Sequence, residues 1–231
     1  IAIVFAALTA VPAQAKYNGH LVKGEWIESW NPVFDEALNS TVLLGHTERQ
    51  IENLCRGYTA DVAKRKMFWQ QLMISLSWKE SLHGPENWVE FRGGRNDGLY
   101  QINPVLRTAY NCTDFDLFDP LQNIRCALKM AEKLTLRFGS FLKGSKEGMA
   151  AYWQPLRATS NLNRKNRAFI LGYVKDACAS GKLTYHSPAT LAQADAEVDR
   201  TFNEIDLELL GLRPEQLEPS IPGFLPQPPN F

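Results

Sequence analysis

The chain has 231 residues, 45% of them hydrophobic and 22% charged, with 25 basic and 25 acidic side chains. That is the composition of a soluble globular protein, long enough for one domain of ordinary or generous size with extensions at its ends. A net charge of zero and a pI near 7.1 exclude a whole-molecule field that would draw the chain to DNA or an anionic membrane, so no nucleic-acid partner is expected.

Residues 1–11 are almost wholly apolar and rich in alanine, and Pro12-Ala13-Gln14-Ala15 follows. Ala13 and Ala15 fit the A-x-A pattern of a secretory cleavage site, which would leave Lys16 as the new N-terminus, although an initiating Met and a basic n-region are missing. The expectation is a signal-peptide remnant at 1–15 and an exported protein, secreted or periplasmic. The run is too short to cross a membrane, and no other apolar stretch approaches the required length of about 20 residues.

Residues 16–30 hold Trp26 and Trp30 among polar neighbours and read as an irregular lead-in. Asn31-Pro32 opens a first helix, with Val33, Phe34, Ala37 and Leu38 on one face. Thr47 to Tyr58 reads as a second helix, and Asp61 is a good N-cap for a third. In that third helix Met67, Phe68, Leu72, Met73, Leu76 and Trp78 leave few polar positions, so it should be buried around most of its girth. Glu80 comes at its end, and Gly84-Pro85 stops it. Residues 84–104, with Gly93, Gly94 and Gly98, read as a loop or short β-hairpin to which Leu99–Ile102 adds an edge. Helices are expected at 123–138, 146–152, 164–179 and 189–212, and after Arg213 a Pro-rich tail that cannot be helical.

The cysteines are Cys55, Cys112, Cys126 and Cys178, with no C-x-x-C pair to support zinc or thioredoxin-like chemistry. In an exported protein an even count suggests two disulfides. Four cysteines allow three pairings, which sequence cannot separate. The pairing favoured here is Cys112 with Cys126 and Cys55 with Cys178.

A carboxyl at the end of an apolar helix has a partly dry environment, which disfavours its charged form and lets it act as an acid at neutral pH. Glu80 is therefore the candidate catalytic residue. Glu80 and His83 also have the Glu-x-x-His spacing of di-metal bundles, but there is no second copy, so no metal is expected. No other cofactor is expected either. His20, His46 and His186 stand alone and read as surface or capping residues. The Gly93–Gly98 stretch is neither a dinucleotide fingerprint nor a P-loop, and Ser81 lacks the frame of a serine hydrolase.

Four segments stand in order: Glu80-Ser81, Gly98-Leu99-Tyr100-Gln101, Asp119-Pro120-x-x-Asn123-Ile124 and Ala151-Tyr152. Together they resemble the lysozyme superfamily, in particular the soluble lytic transglycosylase and goose-type lysozyme branch. The resemblance covers about residues 65–157. It implies a mainly helical α+β fold with a small β region lining a sugar cleft, and a muramidase that cuts the β-1,4 MurNAc–GlcNAc bond of peptidoglycan. On that pattern the chain divides into a leader at 1–15, an N-terminal helical extension at 16–64, a lysozyme-like core at 65–185 and a C-terminal helix and tail at 186–231. Glu80 would be the general acid, with Ser81, Glu90, Asp97, Tyr100, Gln101, Asn103 and Tyr152 as substrate-binding residues. The partner would be glycan strands and the protein a monomer.

Two positions depart from the family. Trp153 stands where the Ala-Tyr-Asn motif has Asn, and Asn103 stands where goose-type lysozymes often have Asp. Both leave the second chemical step open between hydrolysis and anhydro-forming transglycosylation. Glu90 and Asp97 would suit a glycan bearing free amines, and the chain is also similar to lysozymes of predatory bacteria that prefer deacetylated peptidoglycan. A silent glycan-binding protein and a chitinase- or chitosanase-type glycosidase are the alternatives.

Overall fold

The computed structural model describes residues 16–17, 23–91 and 94–186. The expected leader, the helix at 189–212 and the proline tail lie outside the described residues, as does His20.

The first helix, α1 (Asn31–Asn39), carries Pro at its first turn and buries Phe34, Ala37 and Leu38, as their spacing predicts. The second, α2 (Arg49–Leu54), is shorter than the expected Thr47–Tyr58. Cys55 leaves the helix at φ −130° and ψ 81° and joins Cys178, with the two Cα atoms 5.2 Å apart. The other disulfide is Cys112–Cys126, so both favoured pairings are present. The first bond closes a separation of 123 residues. Linking so long a loop removes denatured-state entropy worth about 4–5 kcal/mol in the chain-entropy model.

The long helix α3 (Val62–Ser81) begins where Asp61 accepts a hydrogen bond from the Ala63 N–H at 2.7 Å. Every residue from Phe68 to Trp78 is buried. Burial on all sides places polar residues inside, and Gln71, Ser75 and Ser77 each find a partner. Gln71 donates to the Thr184 carbonyl and accepts from its N–H, at 3.0 and 2.7 Å. Phe68 makes edge contacts with Tyr58, Trp69 and Phe141 at centroid distances of 5.2–5.3 Å.

Helix α3 packs against α5 (Asn161–Ser180), and α1 packs against α4 (Pro120–Phe138). Asp119 caps α4 by accepting from the Leu121 and Gln122 N–H groups, with Pro120 at the first position, so the Asp-Pro pair acts as a helix start. The hydrophobic core runs without a break from Trp26 to Cys178 and so includes the lead-in tryptophans.

The β structure is small. In the first sheet β1 (Lys16–Tyr17), β2 (Trp88–Phe91) and β3 (Gly94–Asp97) lie in that order, all antiparallel. Leu99–Ile102 adds no edge strand. It forms a tight turn, with one bridge between Asp97 and Ile102.

Residues 146–152 also differ from expectation. They hold the end of a two-residue hairpin, β4 (Leu142–Lys143) with β5 (Glu147–Gly148), and then a 3₁₀ turn at Met149–Ala151. Gly148, at φ 68° and ψ −141°, occupies backbone space closed to other residues, and this ends any helix. His186 is buried at 2% exposure rather than lying at the surface. His46 is half-buried, 3.7 Å from Glu48. None of the described helices is long and apolar enough to cross a membrane.

Candidate active site

The site is built on the last turn of α3. The helix is stopped by Leu82 and His83, both in the left-handed region at φ 54° and 58°, two residues before Gly84-Pro85. Such a conformation is unusual for residues with a Cβ and is held from outside. Gly24 N–H donates to the Leu82 carbonyl at 2.9 Å. The His83 Nδ1 bonds the Ser77 hydroxyl at 2.7 Å, and its ring lies against Trp26 and Trp78. His186 stacks 6.1 Å from His83 and bonds the Ser75 hydroxyl at 3.0 Å. Burial holds both imidazoles down to about 3, so both are neutral at ordinary pH.

Facing this end is the turn from Gly98 to Asn103. Gly98 has φ +75°, and a Cβ there would overlap the Leu117 carbonyl and the Asn123 amide, so only glycine fits. Gln101 also has a positive φ, 49°. Side chains from the other motifs hold three consecutive carbonyls of this turn. Ser81 donates to Leu99 O at 2.8 Å, Trp153 Nε1 to Tyr100 O at 3.1 Å, and Tyr152 to Gln101 O at 2.9 Å. The Tyr152 hydroxyl also accepts from the Asn103 N–H at 2.7 Å. Asn123 accepts from the Tyr100 N–H at 3.1 Å and donates to Asp97 O and Leu117 O. The four sequence segments therefore meet in space, and the turn is where they meet.

Most of the expected substrate-binding residues serve this frame. Ser81 and Tyr100 are fully buried, and the Gln101 amide nitrogen is spent on the Asn87 and Gly98 carbonyls. Asn103 caps the following 3₁₀ turn through the Val105 N–H. Tyr152 keeps partial exposure, and burial raises its phenol pKa. Trp153 is buried against Tyr152 at 5.3 Å, where it carries the bond to Tyr100 O. Asn87 and Arg157 were missed by sequence reasoning. Asn87 ties Ser81 O (2.7 Å) to the turn, and no local pattern marks it.

Glu80 differs from all of these. Among the described residues none donates a hydrogen bond to its carboxyl. Desolvation raises its pKa from 4.5 to about 8, and the nearby Arg157 guanidinium opposes the shift only in part. Arg157 is itself engaged by the Ala150, Ala151 and Tyr152 carbonyls, so it stands as a fixed charge near the acid and not as a clamp on it. Protein encloses the Glu80 carboxyl, yet the residue as a whole keeps some accessible surface, which is what an acid opening on a cleft requires. Its neighbour Lys79 points elsewhere, 3.8 Å over the Phe169 ring.

The other two carboxylates sit on the hairpin. Glu90 is exposed on β2, in register with Arg95 and Lys16. Asp97 is buried at 2%, with Oδ1 2.7 Å from Arg95 Nε and Oδ2 accepting from Arg95 Nη2 at 3.0 Å. Oδ1 receives no aligned hydrogen bond despite the short ion pair, and desolvation raises the Asp97 pKa even against Arg95.

No protein-family model matches the chain, and no curated protein does. Solved structures do. The wild-type form of Bd0314 DslA, a Bdellovibrio deacetylated-peptidoglycan lysozyme, is similar at 25% identity and a TM-score of 0.56, over 64% of this chain and 89% of that one. Two Glu→Gln mutants of DslA match at 25% and 26% identity over the same shares, also with a TM-score of 0.56. The fold that carries Glu80 is thus an α+β, lysozyme-like fold.

Proposed function

We propose that this protein is a muramidase that cuts the β-1,4 MurNAc–GlcNAc bond of peptidoglycan, with Glu80 as general acid. The observation that carries this reading is the contrast at Glu80: a carboxyl pushed up to about 8 by burial, without a hydrogen-bond donor among the described residues, beside a turn in which the other polar groups are largely spent. The likeness to DslA supports a glycosidase acting on cell-wall glycan.

At neutral pH Glu80 carries the proton that the leaving glycosidic oxygen needs. The C–O bond breaks as the proton is transferred, and positive charge develops on the ring side of the scissile bond. The Glu80 carboxylate left behind, with the partial charge of the neighbouring carbonyls, stabilises that charge. Glu80 then takes a proton from the second nucleophile. A water gives a reducing sugar, and the sugar's own 6-hydroxyl gives an anhydro end. Hydrolysis is the reading adopted here. Glu90, exposed on β2, could accept a glycan ammonium, which supports a preference for deacetylated strands. Glu90 stands ten residues after Glu80, close to the spacing of eleven between the two glutamates replaced in the DslA mutants.

Mass spectrometry of the products from purified sacculi tests the proposal, using acetylated and deacetylated walls in parallel. Reducing-end muropeptides, more abundant from the deacetylated wall and absent with Glu80→Gln, are the expected result. Anhydro ends would replace hydrolysis by transglycosylation, and an intact wall would leave a binding protein.

A further inference from the structure

The two ends of the Gly98–Asn103 turn lead to a second feature. Asp97 before it and Pro104 after it line a pocket of 120 Å³ with Arg95, Arg107, Asp116 and Phe118. Glu80 is not among its walls. The pocket is well below the roughly 300 Å³ at which sites for drug-sized ligands begin, so it would not hold a disaccharide, but a head group of several heavy atoms fits.

Its charges are mixed and only partly used. Arg95 is paired with Asp97 and lies 5.4 Å over the Phe118 ring. Arg107 is fixed by its Nε on Pro104 O at 3.2 Å and its Nη1 on Phe115 O at 3.0 Å, bonds in which Nη2 takes no part. Asp116 uses Oδ1 to accept from the Phe118 N–H at 2.9 Å, which leaves Oδ2. Asp97 Oδ1 is buried in the wall without an aligned donor. A pure anion would meet two carboxylates here, and a pure cation two guanidiniums. A group with both charges a few ångströms apart satisfies both pairs.

We propose that this pocket binds a zwitterionic amino-acid head, its carboxylate on Arg107 and its ammonium on Asp97 and Asp116. Such heads occur on the peptide stems of peptidoglycan and on free amino acids. Assigning the stem rests on the muramidase reading; the pocket's ligand chemistry does not. The enzyme would then read a peptide beside the turn while Glu80 acts on the sugar.

The test has two arms, both on the full chain. In the first, meso-diaminopimelate is titrated at up to about 10 mM, the range of weak fragment binding, and followed by NMR, with cadaverine (cationic only) and acetate (anionic only) as controls. Saturable shifts confined to residues 95–118, seen with meso-diaminopimelate alone, are expected. Asp116→Asn keeps the acceptor for the Phe118 N–H and should weaken binding about tenfold, the loss expected for one charge-assisted hydrogen bond. Arg107→Lys should weaken it at least as much. No shifts, or equal shifts with either control, would overturn the proposal.

In the second arm, sacculi with and without their peptides are digested. A several-fold preference for peptide-bearing walls, lost in Asp116→Asn, assigns the stem. Equal rates alongside intact binding refute the stem and leave the free amino acid. If the wild type cuts neither wall, the muramidase reading falls while the first arm still decides the pocket.

Discussion

The two sides of the last turn of α3 are built on opposite rules. On one side Ser75, Ser77, Ser81, His83 and His186 form a buried polar network in which almost every group is paired. On the other, one residue away, the Glu80 carboxyl is enclosed and receives no hydrogen bond from any described residue. The first arrangement gives rigidity, because an unsatisfied buried group would cost about 1–3 kcal/mol. The second suits the proposed general acid, because a carboxyl whose desolvation outweighs the pull of Arg157 holds its proton. A carboxyl kept protonated differs from a structural carboxylate in what its neighbours withhold, and Asp119, which accepts from the Leu121 and Gln122 N–H groups, shows the other outcome in the same molecule.

The most severe break of this contrast is Glu80→Gln. Loss of the proton donor should lower wall lysis by about 10²–10⁴-fold, read as muropeptide release with an unchanged circular-dichroism spectrum. The same substitution should alter the response of stability to pH. Below pH 4.5 Glu80 is protonated in both folded and unfolded states and contributes nothing. Between 4.5 and about 8 only the unfolded chain releases the proton, so the contribution of Glu80 to stability falls across this window and levels off above it. The loss is up to about 4 kcal/mol, and urea melts of Glu80→Gln should lack it. A difference between wild-type and Glu80→Gln stability that stays flat from pH 5 to 8 would mean that the acid is ordinary.

Tyr152→Phe comes next. It strips the acceptor for the Asn103 N–H and the donor to Gln101 O together. A cost of about 1–3 kcal/mol in stability is expected for those groups, with kcat falling more than KM rises, since the turn is displaced while the sugar's own contacts remain. Intact kcat would show that the frame does not set the site's geometry.

The smallest effect sharpens the comparison from the network side. His83 and His186 are held at about 3 against an ordinary 6.5, so as pH falls through 6.5 the unfolded chain binds protons that the folded one refuses. Stability should drop from pH 6.5 towards 3, opposite in direction to Glu80. His186→Gln should remove up to about 1 kcal/mol per pH unit of that slope, measured by urea melts between pH 6 and 4. An unchanged slope would place the acid sensitivity elsewhere.

The order of elements was legible because it depends on local chemistry. Asp61 and Asp119 are N-caps, Pro32 and Pro120 sit in first turns, and the apolar run of α3 could be satisfied only by burial. Glu80 was legible for the same reason, since its place at the end of that run already set a dry environment. The expected helix at 146–152 failed because its apolar residues did not reveal that Gly148 lies where no helix continues. Trp153 and Asn103 read in sequence as departures from a pattern, yet both fill places in the turn's hydrogen bonding.

By itself the sequence determined which residue types lie where along the chain: a buried helix ending in an acid, a glycine turn, two capped helices and four cysteines. The tertiary structure alone decided what each polar group is spent on. Ser81, Gln101 and Asn123 have the same chemistry as sugar-binding residues, and only the approach of segments 14 to 23 residues apart turns them into supports for one backbone turn. A hydrogen-bonding group has few bonds to give, and which partner takes them depends on distances that no linear spacing encodes.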